Sequence, residues 1–196
     1  DTTFNPLGTY PGQYTVGSTG LFNLTINNDD TILVAYLAST IVNIAKITAN
    51  GSQLVTSFGA SGVLNTGITA SNPSAIRCAI DSNGKVIVAA SFGGTTVKVC
   101  RYTAAGATDS SFNGTGAVYT LPSDKLGTSG VILTDLMITN QPNPATNDKI
   151  ILLGYNSAGG NGRLFASRLG QDGVLDPTWN ASPSGSDIPG ITTFAV

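Results

Sequence analysis

The sequence predicts an all-β fold: a propeller-like array of three four-stranded antiparallel blades plus an extra terminal strand. The first observation behind this is a recurring aromatic-centred motif. Phe4 to Phe58 and Phe58 to Phe112 are both 54 residues apart, and Phe112 to Trp179 is 67. A period of this size denotes several copies of one supersecondary unit. The second observation is vocabulary. Gly, Ser, Thr and Asn alternate with Val, Ile and Leu, and Glu and His do not occur at all. Such a chain favours strands and turns over helices.

The elements follow in order. Residues 1–12 form a partial motif around Phe4, with Pro6, Gly8, Pro11 and Gly12 suggesting an extended arm, and 14–16 read as a short strand. A second strand starts near Leu21 and stops at Asn27-Asn28-Asp29-Asp30. Residues 31–38 are an apolar run too short for a helix and therefore a buried strand. Residues 41–47 complete the unit before Ala49-Asn50-Gly51 turns the chain. The next unit is cleaner, with strands at 62–68, 75–80, 85–92 and 96–102. Asn83-Gly84 supplies a hairpin turn, since Gly accepts the positive φ that tight turns require. Residues 86–90 are apolar in succession, so that strand must be covered on both faces. The third unit has strands at 117–121, 131–139, 149–155 and 163–169, and its extra residues fall in polar loops at 122–130 and 141–148. The units so divided are 13–58, 59–112 and 113–179, with terminal segments 1–12 and 180–196, all in one repeat domain.

Within the motif, three residues before each aromatic stand Asp1, Val55, Asp109 and Asp176, and four after it Gly8, Gly62, Gly116 and, departing from the rest, Pro183. Residues 172–179 read Asp-Gly-Val-Leu-Asp-Pro-Thr-Trp; 106–116 carry the same frame with Thr108 for Leu; 51–62 keep Leu54, Phe58, Gly59 and Gly62. This pattern resembles the bacterial delta-sixty repeat, with consensus Asp-Gly-x-Leu-Asp-x-x-Phe-Gly-x-x-Gly, and the likeness runs along nearly the whole chain. The resemblance implies blade architecture and brings neither catalytic residues nor a cofactor.

The composition narrows the function classes. Charged residues make up 10% and the net charge is −2, which suits neither nucleic acid nor an anionic membrane. No run approaches the roughly 20 apolar residues of a membrane span. The lack of His removes the usual triad base, and carboxylate pairs could come only from Asp. Asp81 and Asn83 could offer oxygen ligands to calcium, but Asx-rich turns form without metal. We therefore expect no enzyme activity, cofactor or metal. Cys78 and Cys100 fall on strands separated by a third, roughly 9–10 Å apart. That exceeds the roughly 7 Å limit for a disulfide, so two buried thiols are expected.

The remaining candidates are structural. Arg101 and Arg168 each lie eight residues before Asp109 and Asp176, a spacing suited to a recurring guanidinium–carboxylate brace that Lys46 and Val55 do not make. Phe4, Phe58, Phe112 and Trp179 read as wedges between sheets. Asn23, Asn50, Asn113 and Asn180 head Asn-x-Ser/Thr triplets, which matter only where the source glycosylates. Three units and a spare strand do not close a propeller of about 4–8 blades. The expected function is structural: an extracellular or cell-surface protein assembling with itself, head-to-tail into filaments, by exchange of a terminal strand, the N-terminus being the favoured donor. A binding or adhesion module for a glycan or protein, using the loops at 122–130 and 141–148, is the second reading; a piece of a larger propeller is the third. Starting inside a motif at Asp1 fits a leader already removed.

Overall fold

The computed structural model describes residues 3–9, 12–16, 20–69, 73–126, 130–140, 147–157, 162–185 and 187–195. Within these, twelve strands form three antiparallel four-stranded sheets. The first contains β1 (Phe22–Ile26), β2 (Ile32–Ala38), β3 (Ile41–Ile47) and β4 (Val63–Thr69), in that order. The second contains β5 (Pro73–Ile80), β6 (Val86–Phe92), β7 (Thr96–Tyr102) and β8 (Tyr119–Thr120). The third contains β9 (Val131–Ile138), β10 (Ile150–Asn156), β11 (Arg163–Leu169) and β12 (Ile191–Ala195). Helix is confined to one turn, α1 (Ser123–Leu126), and a 3₁₀ turn at Phe112–Gly114. No described helix is long and apolar enough to cross a membrane.

Three sheets of four strands match the expected fold class, but the sheets are cut one strand away from the sequence units. The strand after each motif pairs with the strand before it: β4 with β3, β8 with β7 and β12 with β11. The cause is the motif itself, which folds back on the preceding strand. Val55, Asp109 and Asp176 donate their backbone N–H to the carbonyls of Lys46, Arg101 and Arg168. The chain leaving the motif is thereby led along the same strand. The terminal strand foreseen over 188–196 is β12, and it completes the third sheet rather than being spare. Residues 13–16 pair with no sheet, where a short strand was expected.

The sheets stack face to face in chain order. Leu33, Ala35, Val42 and Ile44 of the first meet Ile76, Val88 and Ala90 of the second in one core. Ile87, Ala89, Val97 and Val99 on the opposite face of the second meet Leu133, Leu152 and Phe165 of the third in another. All seven residues of β6 are buried, as a strand covered on both faces must be. The first strands lie side by side and are stitched by polar bonds. Asn23 Oδ1 accepts from the Cys78 N–H at 2.9 Å, and Arg77 Nε donates to the Thr134 carbonyl at 2.7 Å.

Cys78 and Cys100 face Val88 from either side, on β5 and β7, and both are free and buried. Burial pushes both thiols up to about 12. Neither should react with iodoacetamide in the native protein near about pH 8, where even an ordinary thiol is only partly ionised. Both should be alkylated after denaturation without reductant. A denatured mass two hydrogens lower, with no alkylation, would contradict this strand order.

Candidate functional site

The motif is built the same way each time. A tight turn closes from the acidic position to the aromatic: Phe58, Phe112 and Trp179 donate N–H to the carbonyls of Val55, Asp109 and Asp176 at 2.9, 3.0 and 3.1 Å. The residue after the aromatic is left-handed, with φ of 45° at Asn5, 56° at Gly59, 50° at Asn113 and 51° at Asn180. Gly and Asn are the residues that tolerate this conformation best, which accounts for Asn113 and Asn180 without glycosylation. The reversed chain then projects an N–H outward, away from its own blade.

That N–H is spent on the next blade. Asn5 donates to the Asn50 carbonyl at 2.6 Å, Gly59 to Ala105 at 2.9 Å and Asn113 to Asp172 at 2.6 Å. Each acceptor precedes a turn glycine: Gly51, Gly106 and Gly173, with φ of 67°, 80° and 80°. A Cβ on Gly51 would run into the Phe4 ring, and one on Gly173 into the Phe112 ring; at Gly106 it would lie 3.1 Å from Phe58 and 2.8 Å from the Gly59 nitrogen. Aromatic, left-handed residue and bare glycine turn thus form one inter-blade joint, made three times. The joint depends on glycine because the ring rests where a side chain would start.

Ion pairs brace the motif. Asp109 Oδ2 lies 2.7 Å from Arg101 Nε and 2.8 Å from Lys85 Nζ, and Asp176 Oδ2 lies 2.9 Å from Arg168 Nε and 3.1 Å from Lys149 Nζ. The other oxygens accept from the hydroxyls of Ser111 and Thr178, both at 2.7 Å. The same guanidinium carbons lie over the rings, 5.1 Å from Phe112 and 5.5 Å from Trp179. In the first blade, Lys46 lies 5.9 Å over Phe58 and approaches Asp29 at 3.8 Å, with Val55 at the acidic position. Burial drives the Asp109 and Asp176 carboxyls upward. Hydrogen bonds from Lys85 and Ser111, and from Thr178 and Lys149, with the arginine charges, outweigh it and hold both well below the usual range, Asp176 at about 2.

The partners of the expected glycine positions differ at the ends. Gly62 and Gly116 return N–H bonds to the Phe58 and Phe112 carbonyls, at 2.8 and 2.6 Å. For Trp179 the returning residue is Gly190, at 2.7 Å, not Pro183; for Phe4 it is Gly12, at 2.7 Å, not Gly8. Insertions displace the glycine along the chain but not in space. The signal lay in the dipeptides Pro11-Gly12 and Pro189-Gly190. Asn5 Nδ2 then donates to the Gln13 carbonyl as Asn180 Nδ2 does to that of Ile191. The Phe4 and Trp179 motifs therefore share this closure.

The fourth joint is half made. Phe58 and Phe112 are 1% and 0% exposed, whereas Phe4 and Trp179 are half-buried. Among the described residues Trp179 meets no turn glycine, and no carbonyl accepts from the Asn180 N–H. Arg101 also donates from Nη1 to the Gln171 carbonyl of the next blade at 2.6 Å, a bond for which Arg168 shows no counterpart among the described residues.

The other candidates lie elsewhere. Asp1 and 141–146 of the second loop lie outside the described residues, as do 127–129 of the first, whose α1 buries Leu126. Asp81 Oδ1 accepts from the N–H groups of Asn83 and Lys85, both at 2.9 Å, closing its own turn. Among the described residues no three Cys or Asp side chains converge on a metal-sized site.

Residues 82–112 and 146–178 match a family described as a β-propeller domain of unknown function (DUF5122). Each matched segment runs through β6–β7 or β10–β11 and into the motif loop, so both take in the Arg–Asp–Lys brace, and the first ends on the wedge residue Phe112 while the second stops one residue short of Trp179. No curated protein matches the chain.

Phe112→Ala should cost roughly 3–5 kcal/mol in thermal or denaturant unfolding, as for other buried aromatics; an unchanged midpoint would contradict the wedge. Acid provides a second check. Carboxyls depressed below the unfolded value of about 3.9 contribute stability that is fully present above about pH 4 and lost as pH falls through the folded values. The melting temperature should fall steeply from about pH 4 towards about pH 2. A flat profile over that range would contradict the brace.

Proposed function

We propose that this chain is an extracellular structural protein of the bacterial delta-sixty type, whose copies assemble head-to-tail into filaments by exchanging a terminal segment. The carrying observation is a pair of apolar sheet faces, at opposite ends of the stack, that the described residues leave largely exposed. On the first sheet, Phe22, Leu24 and Ile26 are 68%, 53% and 62% exposed; on the third, Met137, Leu164 and Phe194 are 51%, 49% and 52% exposed. Strand register places Leu24 beside Val34, and Leu164 beside both Tyr155 and Phe194, while Met137 lies opposite Ile151, four residues along β10 from Tyr155. Patches of this kind on a soluble protein mark a contact surface.

The internal packing supports a particular pairing of these patches. The first sheet turns one face to the second, and the second turns its other face to the third. The open face of the first sheet is of the kind that receives a preceding blade, and that of the third of the kind that receives a following one. Joining unlike surfaces gives a heterologous contact, which closes into a ring or propagates as a filament. Low charge and a surface rich in Ser and Thr support a surface or fibre setting. Further blades of a longer polypeptide would cover the same faces, and particle size separates the two cases.

Leu24→Lys and Leu164→Lys should each fold normally and stop growth, because each places a charge at one face. Sedimentation should show large particles for the parent and 19.9 kDa monomers for each variant alone. An equimolar mixture of the variants should give dimers and nothing larger, since one sound face of each kind remains. A parent that is monomeric at every concentration, or variants that assemble as the parent does, would contradict the proposal.

A further inference from the structure

The head-to-tail reading leaves open which terminal segment gives way, and the joints identify it. Gly51 receives the Phe4 ring, while among the described residues Trp179 meets no turn glycine. Head-to-tail contact brings the Trp179 motif of one copy to the Gly51 turn of the next. Both motifs cannot occupy one turn. We infer that the N-terminal arm, described over residues 3–9 and 12–16, is an intrachain plug, and that the Trp179 motif of a second copy displaces it, resting its indole on Gly51 and donating the Asn180 N–H to the Asn50 carbonyl. This rests on the head-to-tail reading above and specifies its joint.

Three observations favour the C-terminal motif as the one that stays folded. Its carboxylate is held by Arg168 and Lys149. Its following strand, β12, pairs with β11 from Arg163↔Ala195 to Ser167↔Ile191, while residues 13–16 pair with no sheet. Its unmet groups also fit the turn at Gly51. Arg101 reaches the carbonyl two residues before Gly173, and the corresponding carbonyl before Gly51 belongs to Ala49, within reach of Arg168 in the same geometry.

The arm also covers its face loosely. Tyr14 and Val16 border a groove of about 620 Å³ floored by Phe22, Leu24 and Val34. The incoming sheet offers Met137, Tyr155, Leu164 and Phe194 to that space. The sequence reading favoured the N-terminus as donor; this geometry makes it the piece removed.

Chemical cross-linking tests the joint directly. One preparation carries Ser52→Cys and the other Ala181→Cys, both at exposed positions flanking the Gly51 turn and the Trp179 motif. The native thiols are buried and stay silent towards a short bis-maleimide. A mixture should give a cross-linked dimer that neither preparation gives alone. Adding Phe4→Ala to the Ser52→Cys chain should raise the yield several-fold. Adding Trp179→Ala to the other should reduce it to background, and Trp179→Phe should restore it, which separates lost docking from lost folding. A yield that falls with Phe4→Ala overturns the plug and makes the arm the donated piece. Assembly without this product overturns the joint but leaves head-to-tail growth standing. Neither assembly nor product from any variant, including Phe4→Ala, overturns both.

Discussion

The contact between an aromatic ring and a bare glycine turn holds this array together. Sheets alone do not fix how far one blade is rotated against the next; the wedge does. Its parts constrain one another. The aromatic must project from a tight turn, which requires a left-handed residue immediately after it, and that residue exposes the N–H that the next blade accepts. The acceptor precedes a glycine because the ring occupies the space of a Cβ. Phe58 and Phe112 sit at such joints almost without solvent exposure. The buried Arg101–Asp109 pair, joined by the half-buried Lys85, keeps the turn in shape, since an uncompensated charge there would be strongly unfavourable.

This construction explains why the chain ends matter so much. In a repeat array each unit contacts only its neighbours, so the outermost units have faces without neighbours. Here those faces are apolar, and the third blade also carries half of a joint, while the Gly51 turn of the first is filled by the Phe4 ring. A capped array would show polar outer faces instead. The physics that stacks the second blade between the first and third is available to whatever meets those faces.

Much of this was legible in the sequence, and the limits have physical causes. The period, the aromatic position, the eight-residue spacing from Arg to Asp and the separation of the two cysteines are local or strictly periodic. Sheet membership was not legible, because a periodic pattern looks the same wherever the unit is cut. The backbone bonds from Val55, Asp109 and Asp176 to Lys46, Arg101 and Arg168 reveal that the post-motif strand returns to its own blade. The glycine turns at Gly51, Gly106 and Gly173 were also missed as partners of the rings. They lie a whole unit further along the chain from the aromatic they carry, and one glycine among 24 gives no signal of its own. Gly190 was hidden by an insertion that lengthens the path from Trp179 without changing where the chain returns.

The central claim is that the array is completed by another copy of itself. Cryo-electron microscopy of the particles formed by the parent chain tests it most directly. The account predicts a continuous stack in which the third sheet of one copy covers the first sheet of the next, with Trp179 resting on Gly51 across the boundary. Particles joined through any other surface, or a field of single three-bladed molecules at every concentration, would contradict it.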